Sequence, residues 1–349
     1  MSPARVPPAE PQPLAGERFA VYASAEGSYF VRDIRGLLAS GLREAGAAVR
    51  EADASRGFLA DARWHLVVSP HDFFSLGAGR RLGGKEWPAG LVLYNTAQPG
   101  SAAFSFARRL LPRAHACWDV DAGSAARLSA DGWRARHVPL GWAERSALFL
   151  PEGRLAPLDR RPIDVLFAGS AAPRRRGLLE RARRRLPRLS WRLLLADEGR
   201  YVARPRRSED ALLLARAAKV VLNVHRRPSR YFEWHRAGVH AFGQGAFLLS
   251  EPGAAGAGLR AGRDYAAASL EEMPAALEHY LLSERGRREA REIAERGARF
   301  YRDACRMSGF LARAFAALSS PESSKASAAR RRERSARLAF EAGFSGRRG

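Results

Sequence analysis

Residues Val220–Glu251 read VVLNVHRRPSRYFEWHRAGVHAFGQGAFLLSE, and the fold is decided by how this stretch is read. It opens on VVLNV (Val220–Val224) and closes on AFLLS (Ala246–Ser250), apolar runs of the kind that form strands buried on both faces. Between them lie a polar loop, His225–Arg230, and a pattern that predicts a helix over Tyr231–Phe242, ended by Gly243 and Gly245. At about 100° per residue, Trp234, Ala237, Gly238, Ala241 and Phe242 share one side of that helix. Glu233, Arg236 and His240 fall within about 60° of one another on the other side, which predicts an acid, a guanidinium and an imidazole presented together to a cleft. A surface helix with an ordinary charged outer face has the same spacing. The loop argues for more. Asn223, His225, Arg226, Arg227 and Arg230 follow the carboxyl end of an expected parallel strand, where open α/β sheets bind ligands. A basic loop feeding a helix N-terminus makes an anion site.

Working outward, strands and helices alternate in both directions. Toward the N-terminus the expected strands are Arg18–Ser24, Val49–Asp53, Trp64–Ser69, Leu91–Tyr94 and one near Ala116–Trp118, with helices at Phe30–Ala45, Ala102–Leu111 and Ala122–Ala130. Glu144–Arg161 loses periodicity and holds Pro151 and Pro157, so it reads as a linker. The alternation restarts with strand Ile163–Ala168, helix Arg174–Leu186, strand Trp191–Ala196 and a helix Ser208–Ala218 capped by Ser208. After the opening stretch come a strand near Asp264–Ala267 and helices Leu270–Leu282, Glu284–Tyr301 and Ala304–Leu318. The expected fold is α/β: two Rossmann-like, doubly wound domains facing one another across a cleft, with long C-terminal helices. The expected limits are a disordered N-terminus (1–16), a first domain (17–143), a linker (144–161), a second domain (162–318) and a disordered basic tail (319–349).

A net charge of +23 and a pI near 11.3 suggest a polyanionic partner. The kind of base tempers this: Lys85, Lys219 and Lys325 are the lysines, and the other 56 of the 59 basic residues are arginine. A GC-rich coding sequence produces that skew without selecting a partner. Cys117 and Cys305 are too few and too distant for a disulfide framework or zinc cluster, and read as small core residues. No apolar run is long enough for a membrane span, and the Pro-rich N-terminus lacks the apolar core of a signal peptide. A cytoplasmic protein is expected. The histidines show no HExxH or similar spacing, so no metal and no cofactor is expected.

Several segments have a familiar wording. FAGSAAPRRRGLLERA, LNVHR, the EWHR helix and GQGAFLLSE resemble the C-terminal half of the CgeB-like, family-1-type bacterial glycosyltransferases of GT-B fold. PHDFF and LYNTAQPG resemble that family's PHEFF and NTEQ segments, and the likeness spans roughly residues 18–315. It implies that the second domain binds a nucleotide-diphosphate sugar as co-substrate, and the first an acceptor that is a saccharide, protein or small molecule. Gly169 and Ser170 would let backbone approach the diphosphate, with Arg174 and Arg176 supplying charge; Arg176 before Gly177 matches the family's basic residue. A strand-to-helix turn needs a glycine in any case. Asn223, His225, Arg236, His240, Gly245 and Glu251 would complete the donor site.

The chain also departs from the family. Ser170 replaces an arginine usual after the loop glycine. Retaining members carry two glutamates eight positions apart, and counting back from Gly245 puts His240 and Phe232 there, with Glu233 one residue off. Glu233 or Glu251 would then hold the donor hydroxyls, which a histidine cannot do equivalently. Ala97 stands where the family has a glutamate. On the acceptor side, His71 at the end of a strand reads as a general base or as a loop histidine bonded to backbone, with Asp72, Asn95 and Gln98 beside it. His71 and Glu233 are the expected catalytic pair. Two other readings stay open: a GT-B-fold binding protein that has lost turnover, and, from charge alone, a nucleic-acid-binding protein.

Overall fold

The computed structural model describes residues 12–151, 153–196, 206–228 and 231–319. Two sheets, each entirely parallel, make up the framework. The first holds β1 (Arg18–Tyr22), β2 (Ala48–Ala52), β3 (Trp64–Val68), β4 (Leu91–Asn95), β5 (Ala116–Asp119) and β6 (Ala135–His137), in the order β2-β1-β3-β4-β5-β6. Its connections carry α1 (Tyr29–Glu44), α2 (Pro70–Phe73), α3 (Gly79–Gly83), α4 (Ala102–Leu110) and α5 (Ala122–Ala130). The second holds β7 (Ile163–Ser170), β8 (Trp191–Ala196), β9 (Ala218–Asn223), β10 (Phe247–Ser250) and β11 (Ala266–Ala267), in the order β11-β10-β9-β7-β8. Around it lie α6 (Pro173–Arg185), α7 (Arg206–Arg216), α8 (Met273–Leu282) and α9 (Glu284–Ala304), and α10 (Met307–Ser319) ends the described chain.

β3 and β4 are buried along their whole length, and β9 everywhere but at Lys219, as strands covered by helices on both faces must be. Each sheet reverses its direction of winding once, between β1 and β3 and between β7 and β9. A crevice opens at the carboxyl ends of the strands at such a point.

The halves share one core. A single buried cluster runs from Phe19 and Val21 through Leu37 and Trp142 to Trp234, Tyr301, Leu311 and Phe315. α10 returns to the first half and packs on α1: a Cβ on Gly41 would lie 2.5 Å from Met307 Cγ, so only glycine lets the two helices approach this closely. Backbone bonds between Trp142 and the α9–α10 junction fix the crossing, with Trp142 N–H donating to Cys305 O at 2.7 Å and Met307 N–H to Trp142 O at 2.8 Å.

Three expectations need correction. Leu14 is 1% exposed and its N–H donates to Ala45 O, so the segment 1–16 contributes to the core from at least that residue. An apolar side chain next to a helix end finds a place even in a Pro-rich run. Ser208, expected ahead of its helix, lies within α7 (Arg206–Arg216). The helix expected over Tyr231–Phe242 starts only at Trp234 and is π-wound from His235 to Ala241, closing with a 3-10 turn over Phe242–Gln244. The expected tail, from 320 on, lies outside the described residues.

Candidate functional site

At the winding reversal of the second sheet, β7 ends on Gly169-Ser170 and β9 on Asn223, and two guanidinium groups meet between them. Arg175 projects from the first turn of α6, on the same face as Leu178, Leu179 and Ala182, and is 3% exposed. Its Nε donates to Val224 O (2.9 Å), Nη1 to Ser170 Oγ (2.7 Å) and Nη2 to Glu233 Oε1 (2.6 Å). Arg236, in the π-wound segment, donates from Nε to Ala168 O (2.8 Å) and from Nη1 to Asn223 Oδ1 (2.8 Å). Its Nη2 lies 2.6 Å from Glu233 Oε2. Glu233 is thus held by one guanidinium on each carboxylate oxygen. Gly169 makes room for the pair, because a Cβ there would stand 2.9 Å from Arg236 Nη2 and 3.3 Å from Arg175 Nη1.

The electrostatics follow from that burial. Desolvation raises the Glu233 carboxyl, but Arg236, Arg175 and His225 outweigh it, and its pKa ends below the ordinary value. Desolvation also lowers Arg175 to about 10, which leaves it a cation at neutral pH. A second ion pair lies alongside: Arg174 grips both oxygens of Glu251, with Nη1 to Oε2 at 2.6 Å, and Glu251 Oε2 also accepts from His225 N–H at 2.6 Å. His225 is 1% exposed and, among the described residues, its Nε2 has no partner; burial lowers its pKa against the pull of Glu233 and Glu251. The N-terminus of α6 has no side-chain cap, so its first-turn N–H groups remain for an anion.

The first sheet places its own reversal opposite. Ser69, after β3, holds a left-handed backbone (φ +50°) and its Oγ lies 2.5 Å from Thr96 Oγ1. A non-glycine residue in that conformation is strained, and such strain concentrates at functional sites. His71 and Asp72 follow in α2, with His71 Nε2 3.6 Å from Asp72 Oδ1. Burial lowers the His71 pKa and raises that of Asp72, each opposed by the other's charge, so His71 is a neutral imidazole at pH 7. Gln98, after β4, reaches the other half. Its Nε2 donates to Glu233 Oε1 at 3.4 Å, and nearby Tyr231 OH donates to Thr96 O at 3.3 Å.

Most of the residues singled out in the sequence meet here: Gly169, Ser170, Arg174, Asn223, His225, Glu233, Arg236 and Glu251 at one edge, His71, Asp72 and Gln98 at the other. Four do not belong to this site. His240 is 1% exposed, with neither ring nitrogen bonded, and packs edge-on to His235 at 4.8 Å. The segment carrying it packs on β9, β10 and α7 and, through His235, on Phe30 and Asp33 of α1, so the expected cleft-facing side is buried as well. Gly245 takes a left-handed turn (φ +59°) before β10, at the end of that strand opposite Glu251. Arg176 is exposed on the outer side of α6, away from the Arg175 face. Asn95 is 2% exposed and its amide donates to buried Asp119 Oδ2 at 2.7 Å, beneath the acceptor edge.

Arg175 was missed in the sequence. Its signal was helical spacing: it stands three, four and seven residues before Leu178, Leu179 and Ala182, which marks a buried arginine. Among the described residues, no group of three His, Cys, Asp or Glu is arranged to hold a metal ion, and no helix is long and apolar enough to cross a membrane.

No protein-family model matches this chain, and no curated protein matches it in sequence. Solved structures do match. Anabaena Alr3699/HepE in complex with UDP and glucose superposes with a TM-score of 0.57 at 11% identity, over 86% of this chain and 99% of that one. An α-glucosyltransferase in complex with UDP and a 13-mer DNA containing an HMU base superposes with a TM-score of 0.52 at 9% identity, over 87% of this chain and all of that one. Two facing parallel sheets with a shared C-terminal crossing, matched over nearly the whole chain, define the GT-B fold. At such identities the likeness speaks for the fold.

Proposed function

We propose that this chain transfers a sugar from a nucleotide-diphosphate sugar to the hydroxyl group of an acceptor. The observation that carries this is the Arg175–Glu233–Arg236 cluster at the winding reversal of the second sheet, met by Gln98 from the first sheet's carboxyl edge. The uncapped N-terminus of α6 and Arg174 supply positive charge where the diphosphate leaving group gains negative charge. Glu233, its carboxylate held rigid by two guanidinium groups, accepts a hydrogen bond from a donor hydroxyl. Neutral His71 takes the proton from the acceptor hydroxyl as its oxygen bonds to the anomeric carbon and the bond to the diphosphate breaks. The wording shared with CgeB-like glycosyltransferases and the UDP bound by structures of the same fold support this reading, and make UDP-glucose the first donor to test.

A second reading has one observation in its favour. Glu233 already uses both carboxylate oxygens on arginines, which suits a fold that binds nucleotide without turnover. Calorimetry with UDP, followed by an assay of UDP released from UDP-glucose, separates the two. A ligand at a hundred times its dissociation constant adds about 2.7 kcal/mol of stability, so a thermal shift with UDP is the quick form of the first step. Binding with release supports transfer; binding without release, across a broad set of acceptors, supports the second reading; no binding sinks both.

A further inference from the structure

The segments that immediately follow four strands of the first sheet carry no basic residue. Lys and Arg make up 59 of 349 residues, about one in six. None stands in 23–31, 69–79, 96–107 or 120–126, the opening segments of the connections that leave the carboxyl ends of β1, β3, β4 and β5; arginines follow further along each connection, from Arg32, Arg80, Arg108 and Arg127 on. At the opposite edge, Arg63, Lys85, Arg113 and Arg134 lie just ahead of β3, β4, β5 and β6. The carboxyl edge carries hydroxyls and acids instead: Ser69 and Thr96 in their 2.5 Å contact, exposed Glu26, and Asp72, whose side chain is 14% exposed. Among the described residues, the cationic candidate within 4 Å of Asp72 is His71, and burial lowers the pKa of that imidazole. The corresponding edge of the second sheet is the reverse, with Arg174, Arg175, Arg226, Arg227 and Arg236 gathered there.

We propose that the acceptor bound at the first sheet's carboxyl edge is a polyhydroxylated molecule without acidic groups, a neutral or amino-substituted glycan, and that anionic acceptors are turned away. This rests on the glycosyl-transfer reading and names its acceptor class. Carboxylates accept from sugar hydroxyls and the Ser69 and Thr96 hydroxyls both donate and accept, whereas a phosphate or carboxylate on the acceptor would meet Glu26 and Asp72 with no Lys or Arg in the segments that carry them. The overall charge of +23 points toward a polyanion, and a glucosyltransferase of the same fold is bound to DNA. The local arrangement weighs against both, because no Lys or Arg stands in the segments just after β1, β3, β4 and β5, and the arginines of this edge, Arg35 and Arg56, lie by the end of β2 at the rim of the sheet.

The test is an array of glycans that share scaffolds but differ in charge, probed with the full chain saturated with UDP. Neutral and amino-substituted glycans should bind at least tenfold better than their carboxylated and phosphorylated counterparts. Glu26→Lys, at an exposed position, and Asp72→Lys should each narrow that ratio severalfold. Preference for the acidic counterparts, absence of any neutral or amino binder, or a ratio unmoved by Glu26→Lys overturns the proposal. Failure of UDP to bind in calorimetry would instead count against the donor reading, and repeating the array without UDP keeps the two outcomes apart.

Discussion

Gln98 and Glu233, 135 residues apart in the chain, meet across the crevice with Gln98 Nε2 3.4 Å from Glu233 Oε1. The same oxygen takes the 2.6 Å bond from Arg175 Nη2. The amide on the acceptor side therefore touches the ion cluster on the donor side through one atom, and whatever shifts Glu233 is felt by both halves.

Glu233→Gln should destabilise the protein by about 3–5 kcal/mol, since it leaves two mostly buried guanidinium groups without their counter-ion. Urea unfolding of the variant and parent measures this. The sign with pH follows from the lowered pKa: the stabilisation is complete above the ordinary value of 4.5 and is lost as pH falls through the lower folded value. The variant should lose that acid limb. A change under about 1 kcal/mol, usual for surface substitutions, would mean the cluster is open to water.

Arg175→Lys and Arg176→Ala should behave oppositely. A lysine cannot reproduce the three-way fork to Val224 O, Ser170 Oγ and Glu233, so the first should lose UDP binding at least tenfold even where it folds. Arg176 is exposed, and its removal should stay within about 0.5 kcal/mol in stability. Calorimetry with UDP on both variants is the check, and equal losses would return the phosphate role to Arg176.

Asp119 predicts a slope of the other sign. Burial raises its pKa to about 7, against hydrogen bonds from Asn95, Ser124 and the Asp121 N–H. Between the ordinary value of 3.8 and about 7 the folded state holds the extra proton, so stability falls as pH rises through that window. The contribution is at most about 1.4 kcal/mol per pH unit. Asp119→Asn should flatten it, seen as thermal midpoints that differ less between pH 5 and pH 8 than in the parent.

His240→Leu should leave stability unchanged or raise it by about 1 kcal/mol, because both ring nitrogens are buried without partners and an apolar group of similar size removes that penalty. UDP affinity should stay within twofold. A tenfold loss of UDP affinity with an unchanged melting temperature would restore His240 to the donor site.

The alternation of strands and helices was legible throughout, because strands covered on both faces must be apolar and their connections must turn. So were the glycine and polar residues at the ends of β7 and β9, where backbone ends its hydrogen-bond ladder. What escaped was depth. Glu233 and Arg236 have the spacing of a solvent-facing pair, yet they are enclosed because Arg175, the ends of β7 and β9, and Gln98 from the other half close around them, a tertiary fact that periodicity does not carry. Arg175 escaped for a different reason: among so many arginines, one with a buried partner looks like its neighbours unless its spacing to Leu178 and Ala182 is followed. Asn95 has the same side chain whether it greets a ligand or braces Asp119 from below.

The return of α10 to α1 has a consequence for how the protein is made. Synthesis delivers β1 to β6 first, but Gly41 and Gly141 there are shaped for Met307 and the residues around it, which emerge only at the end. The first half therefore waits on the ribosome with an apolar groove along α1 uncovered, while the second half can close its own sheet. The part translated earliest is the part completed last, and a chaperone that shields the α1 groove would have its longest window on nascent chains stalled just short of residue 307.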